Sequence, residues 1–376
     1  MVFIRKGRDE EVSEMVEHAS LNCIDKKVRV AVIGAGWWTS RVHIPTLLAD
    51  SRVEIVGICD TDSRRAKRLV DCYSLDFATD SIDDILLEKP DCVIVATSQD
   101  SHYEPAKRLI ECGCDVLVEK PMTLSPAESR QLKDLAARHN VKLHVGYPML
   151  HSHQVEEAKR IIHSGGIGKI SLASAFFATA VSGFYRGDLA AQGSAENENR
   201  SLEGAYSDAT RGGGHLYAQA THPMAMLIGV TGERLVKISA FLNIGEGCEV
   251  DDTDVISALS ETGTLFSVAT TGLVSENEMR REEYRFVGDK ALLALDTVSG
   301  ELRLEKEGNI DILVGAHEAE PNPVSAPAES LVDCWIDDRK PVVDGSLGSL
   351  VTEALWAAAK SSKQGMAINP NSWVKV

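Results

Sequence analysis

The chain has 376 residues, 44% of them hydrophobic and 25% charged, and a formal net charge of −17. That length and apolar content suffice for two cores. General binding to nucleic acid or to an anionic lipid surface needs a surplus of Lys and Arg, so the charge excludes both. No stretch approaches the roughly 18 apolar residues of a membrane span, and residues 1–26 read as a charged extension without the apolar core of a secretory signal. The eight cysteines are Cys23, Cys59, Cys72, Cys92, Cys112, Cys114, Cys248 and Cys334. Several lie in apolar runs, where a thiol acts as a small hydrophobe. Cys112 and Cys114 have no second pair at zinc-like spacing. All eight are expected as thiols, in a cytoplasmic protein.

From Val28 to about Val145 strands alternate with helices. Val28 to Ile33 is a β-rich run, and Thr39 to Ala49 is helical. Val53 to Cys59 is a second buried strand, followed by a basic helix from Ser63 to Tyr73. Cys92 to Ala96 is a third strand; His102 to Cys112 is a helix stopped by Gly113. After a short strand at Asp115 to Val118, Ser125 caps a helix that Pro126 opens and Asn140 ends. Leu143 to Val145 closes the series. Short apolar strands between helices predict a parallel sheet covered on both faces.

After Tyr147 the pattern changes. A helix to Ser164 and a strand at Ile170 to Phe177 precede a Gly-, Ser- and Asn-rich segment from Val181 to Arg211 without clear periodicity. Gly212 to Gly214 open a helix to about Ile228. Strands joined by turns from Leu235 to Leu313 predict a largely antiparallel sheet, and helices return near Glu329 and Leu350. The reading is an N-terminal Rossmann domain at 27–148 and an α+β domain with an open sheet at 149–376, whose last helices pack back on the first domain.

The segment "VAVIGAGWWTSRVH" places Gly34-x-Gly36-x-x-Thr39 between a strand and a helix, in the first βαβ unit. Gly34 permits a sharp turn, and Gly36 permits backbone approach to a pyrophosphate. The helix N-terminus then offers N–H groups to that anion. Thr39 stands where a third glycine usually serves helix packing, and its hydroxyl is a further donor for phosphate. Trp37 and Trp38 are expected to contact the cofactor through backbone and to pack beside it. Asp60 ends the second strand, near the spacing of the acid that binds ribose hydroxyls. That favours NAD, while Arg64 and Arg65 leave NADP open.

These stretches, with "VIVATSQDSHYEPAKRL", "VEKPMTLS" and "GGGHLYAQATHPMAMLIG", fall in the order of the Gfo/Idh/MocA family, which the chain resembles from about Lys27 onward. The resemblance implies an NAD(P)-dependent oxidoreductase acting on a sugar, glycoside or cyclitol. It implies that Thr97, Ser98, His102 and Glu119 flank the cofactor and that Lys120 fixes the reacting hydroxyl. It also implies a homodimer or homotetramer formed through the second sheet. The family's general base comes from a D-x-x-x-H pair. Here the histidine is kept as His222, but the aspartate position is Ala218. Helical spacing puts His215 and Gln219 on the face of His222, as groups that orient the substrate or support the imidazole. Tyr147 is expected to stack on or bond the substrate. Tyr185, Arg186, Tyr206 and Arg211 are further candidate contacts. No metal is expected, because the trio on the helix lacks a carboxylate or thiolate partner. Two other functions fit the resemblance: a hydrolase or lyase using held NAD, and a non-catalytic dinucleotide sensor.

Overall fold

The computed structural model describes residues 27–187, 200–275 and 280–373; the expected N-terminal extension, with Cys23, lies outside the described residues. The first sheet contains β1 (Val28–Ile33), β2 (Val53–Cys59), β3 (Ala78–Thr79), β4 (Cys92–Val95), β5 (Asp115–Glu119) and β6 (Leu143–Gly146). Its order is β3-β2-β1-β4-β5-β6, and every pair is parallel. The order reverses between β1 and β4, which opens a crevice at the C-terminal strand ends.

A π turn at Thr39–His43 runs into α1 (Ile44–Ala49). It is followed by α2 (Ser63–Tyr73), α3 (Ile82–Leu87), α4 (Tyr103–Glu111) and α5 (Pro126–His139). Local chemistry sets their ends. The Asp62 side chain accepts from Arg64 N at the start of α2. Ser125 caps α5, and Asn140 ends it with positive φ. The strip β3 and the six-residue α3 carry too few residues to show a period, and the sequence reading missed both.

The second sheet holds β7 (Ile170–Ala178), β8 (Leu235–Ile244), β9 (Asp251–Ser260), β10 (Leu265–Thr271), β11 (Arg281–Gly288), β12 (Leu292–Asp296), β13 (Leu302–Lys306) and β14 (Asn309–Val314). Its order is β14-β13-β12-β11-β7-β10-β9-β8. Only β7 and β10 pair in parallel; the other pairs are antiparallel. The helices of this half are α6 (His153–His163), α7 (Ser182–Tyr185), α8 (Arg200–Ser207), α9 (Thr221–Thr231), α10 (Ala326–Asp337) and α11 (Gly345–Gln364). The segment expected to be irregular therefore contains two short helices and a 3₁₀ turn at Ala209–Arg211.

The last two helices tie the halves together. α10 lies against β1, β4 and β5, while α11 covers α5, α9 and β8. One apolar cluster runs from Val93, Val116, Leu132 and Val145 through Met122 to Phe177, Leu227 and Val351. The crevice at the reversal of the first sheet thus faces the helix-covered side of the second sheet. The opposite side of the second sheet is open, and one row across it reads Phe241, Val255, Ala269, Phe176. Phe241 is 80% exposed, and Val255 and Phe176 are also exposed.

Among the described residues every cysteine is a free thiol, no group of side chains is arranged for a metal, and no helix is long and apolar enough to cross a membrane.

Candidate active site

The turn after β1 is built for close backbone packing. Gly34 has φ +104°, and a Cβ there would meet the Ala96 carbonyl carbon at 2.6 Å and Thr97 N at 2.8 Å. Only glycine fits. Gly36 faces open space, with nothing within 4 Å of a Cβ position. The Asp60 carboxylate ties the turn down, accepting from Ala35 N (2.8 Å) and from Asp62 N (2.8 Å). Each oxygen keeps a lone pair for a further donor.

Thr39 corrects one expectation. Its hydroxyl donates to Gly34 O at 2.6 Å, and the residue is fully buried. It braces the turn from behind, and its proton is not available to a phosphate. Arg64 is a second correction. Asp62 caps α2 and holds the Arg64 guanidinium with two bonds of 2.9 Å, so the side chain is held at the exposed start of α2, outside the cavity.

A cavity of about 510 Å³ lies between the two sheets. Gly36, Trp37, Trp38, Thr97, Ser98 and His102 line its first end. The two tryptophan rings lie 5.7 Å apart, tilted by 38°. His102 is buried and joins two loops: Nδ1 meets Pro121 O at 2.9 Å and Nε2 meets Thr97 O at 3.2 Å. Burial lowers its pKa, against the pull of those carbonyls. Across the cavity Arg211, which follows α8, reaches Asp100 (2.8 Å) and Ser98 (3.1 Å), and Gln99 donates to Gly212 O. These bonds fasten the loop before the glycine triplet to the loop after β4.

Glu119 and Lys120 end β5 in the middle of the cavity. Glu119 Oε1 pairs with His43 Nε2 at 3.0 Å, and Oε2 accepts from Lys120 N at 3.2 Å. Burial raises the Glu119 pKa, but His43 and the Lys120 charge outweigh it and leave a carboxylate below its ordinary value. Lys120 Nζ donates to Ala218 O at 3.1 Å. Burial lowers the Lys120 pKa, and Glu119 opposes that.

The glycine triplet leads into the helix that carries the other candidate residues. Gly214 has φ +99°, and a Cβ there would press on Asp251, whose Oδ2 accepts from Leu216 N at 2.6 Å. The first turn, Leu216–Ala220, is a π turn before α9. Pro223 follows it, in the first turn of α9, where a missing N–H costs least. A π turn carries one extra residue, which shifts everything before it by about 100° against an unbroken α-helix. His215 is therefore corrected. It is fully buried, bonded to Tyr185 Oη (2.9 Å) and Thr270 Oγ1 (2.6 Å), outside the cavity lining, and burial takes its pKa down to about 3. Gln219 and His222 do line the cavity.

The His222 ring stacks parallel to Phe177 at 6.2 Å and edge-on to Tyr147 at 6.0 Å. Burial, then the charges of Lys120 and Arg280, hold its pKa well below the ordinary histidine value. The imidazole is neutral at pH 7. Its Nδ1 is buried without a partner. Tyr147 is a second correction among the substrate contacts, after His215: its hydroxyl is 2.6 Å from Thr221 Oγ1, it is buried, and it lies outside the lining. Tyr206 and Tyr185 line the cavity; Arg186 and Arg211 do not. Sequence reasoning missed His43, Thr179, Arg280, Glu282 and Asn322. The last four line the far end of the cavity, and His43 supports Glu119.

A dinucleotide fits this arrangement. The Gly34 turn leaves no room for a side chain, Gly36 leaves room for a ligand, and the tethered Asp60 carboxylate closes β2. The comparisons agree. The family model for the Gfo/Idh/MocA oxidoreductase family, NAD-binding Rossmann fold, matches residues 28–147, and that for the family's C-terminal domain matches 155–294. D-glucoside 3-dehydrogenase of Escherichia coli is 29% identical over 149 residues, 39% of this chain and 42% of the relative. The chain matches about half or less of the length of the first curated relatives. An inositol dehydrogenase homologue from Azotobacter vinelandii, solved with NADH and myo-inositol, has a TM-score of 0.74 at 18% identity, over 92% of this chain and 98% of that one. An aldose-aldose oxidoreductase from Caulobacter crescentus has a TM-score of 0.74 at 19% identity, over 92% and 100%. With both of its domains matched in order, the chain belongs to the Gfo/Idh/MocA family of oxidoreductases, and its first domain is an NAD-binding Rossmann fold.

Proposed function

We propose that the chain is an NAD-dependent dehydrogenase acting on a carbinol or keto carbon of a sugar, glycoside or cyclitol. One observation carries this reading. Lys120 is anchored to the Ala218 carbonyl, four residues before a neutral His222, in the cavity that continues to the glycine turn.

When bound, the nicotinamide takes up or returns a hydride. The residues of the chain handle the rest. The Lys120 ammonium, held by Ala218 O, donates to the reacting oxygen and offsets its growing negative charge. His222 Nε2 takes the hydroxyl proton, since Nδ1 is buried. Asp60 receives the ribose hydroxyls, and Thr97, Ser98, Trp37 and Trp38 line the cofactor end. Gln219, Tyr206 and Tyr185 face the substrate. With Arg64 already held by Asp62, the arrangement favours NAD over NADP. The free thiols fit a reducing compartment such as the cytoplasm.

The exposed row Phe241, Val255, Phe176 supports a homo-oligomer in which a second copy covers the open sheet face. The test of the activity is NADH formation by absorbance with a panel of sugars, glycosides and cyclitols. NAD-dependent signal supports the dehydrogenase. Turnover without added NAD and without net NADH would replace it with a bound-cofactor hydrolase or lyase.

A further inference from the structure

The far end of the cavity carries a charge that the proposed reaction does not use. β7 and β11 pair antiparallel, with Glu282 opposite Phe177 and Arg281 opposite Ala178. Side chains alternate across a sheet, so Arg280 and Glu282 share the face of Phe177 and Thr179. All four line the cavity, and Phe177 is the residue stacked on His222. Arg280 thus stands two residues, about 6.7 Å along the chain, from the Glu282 that pairs with Phe177.

Glu282 does not consume that guanidinium. It is buried, and both of its oxygens are engaged: Oε1 with Arg280 Nε at 2.7 Å and Oε2 with Thr297 Oγ1 at 2.7 Å. Each oxygen thus already accepts one hydrogen bond. Among the described residues Glu282 is the one ion-pair partner of Arg280, and its nearest contact is at Nε. The Arg280 side chain is partly exposed. Its field also reaches His222, whose pKa it lowers. Two further residues of the cavity lining each carry a buried polar atom without a partner, Thr179 Oγ1 and Asn322 Oδ1.

We propose that the substrate is a sugar acid, a polyhydroxy compound whose single carboxylate docks on the outer fork of Arg280. A planar carboxylate matches two parallel guanidinium N–H groups. Thr179 Oγ1 and Asn322 Oδ1 bind hydroxyls of the same molecule. A phosphate dianion is disfavoured, because the buried Glu282 carboxylate stands behind Arg280. This assignment rests on the dehydrogenase reading above and narrows its substrate class.

The test compares D-glucuronate with D-glucose, and D-galacturonate with D-galactose, in NAD-dependent turnover by wild type, Arg280→Gln and Arg280→Lys. A second measurement follows thermal stabilisation of the NADH-loaded protein by each compound. Wild type is expected to prefer an acid over its neutral partner by about 100-fold in kcat/KM. Arg280→Gln is expected to remove that preference, and Arg280→Lys to restore part of it. Preference for the neutral sugar, or equal losses on both in Arg280→Gln, overturns the assignment. If neutral sugars turn over and Lys120→Ala abolishes that turnover, the dehydrogenase reading stands while the sugar-acid assignment falls. If acids stabilise wild type but not Arg280→Gln and no compound turns over, the binding assignment stands and the dehydrogenase reading falls.

Discussion

At the first sheet the site residues lie within a few positions of a strand end: Gly34 and Gly36 after β1, Asp60 after β2, Thr97 and Ser98 after β4, Glu119 and Lys120 at β5. At the second sheet they come from separate elements. His222 is on α9, Phe177 on β7, Glu282 on β11, and Asn322 stands ahead of α10. The first end is fixed by backbone geometry, since a parallel sheet delivers all its C-terminal ends to one crevice. The second end is fixed by side-chain register and by helix phase, which a single π turn or strand slip changes. Cofactor chemistry therefore tolerates little change in backbone, and substrate choice is free to vary by side chain.

The largest expected effect falls where the ends meet. Lys120→Ala removes the cation at the reacting oxygen and is expected to lower kcat/KM by about 1,000-fold or more, with NADH affinity measured by fluorescence within about threefold. His222→Asn keeps the ring's volume roughly and removes the base, for a loss of about 100- to 1,000-fold in kcat/KM. An effect below tenfold in either variant would break the division proposed here.

Gly34→Ala probes the first end alone. Its Cβ would press on the Ala96–Thr97 peptide from a positive-φ position, costing about 2–4 kcal/mol of stability in denaturant unfolding. A cost below 1 kcal/mol would mean that the turn adjusts.

The pH response separates the ends differently. His222 must be neutral to act, and its pKa lies below the ordinary value, so activity should hold from pH 8 to about 6.5 and fall only at lower pH. Stability follows the same sign. Burial lowers His144 and His215 to about 3 and His151 to about 4. The unfolded chain binds protons at these sites first, near pH 6.5, so the folded state loses stability as pH falls from there towards 4. Urea midpoints measured between pH 7.5 and 4.5 should decrease; a flat profile would contradict the burial of these rings. The smallest effect is expected from Thr39→Val. It loses one bond to Gly34 O and should change NAD affinity by less than about threefold, with about 1 kcal/mol of stability lost. A large rise in the NAD dissociation constant would return the hydroxyl to the phosphate.

The parallel sheet, its helices and the glycine turn were legible because each is written in a local run. VRVAVI and VEIVGIC are strands by composition, and Ser125-Pro126 with Asn140 mark both ends of one helix. The pairing of Glu119 and Lys120 with the cavity followed from motif order. The helix after the glycine triplet was legible as a helix, but its phase was not. An α-helical projection put His215 beside His222, whereas the π turn rotates His215 into contact with Tyr185 and Thr270. Tyr147 is an expected substrate contact by its place in the motif order alone; its hydroxyl is satisfied by Thr221, 74 positions on. Arg280 and Glu282 could be found only once β11 was known to pair with β7, which no local pattern specifies.

The central claim is that Lys120 and His222 act on one reacting oxygen next to an independently held cofactor. The most direct measurement is single-turnover NADH formation by wild type, Lys120→Ala and His222→Asn, each paired with NADH binding by fluorescence. The account predicts chemistry slowed by at least about 100-fold in both variants with NADH bound as tightly as in wild type. Unchanged chemistry in either variant, or a parallel loss of NADH binding, would contradict it.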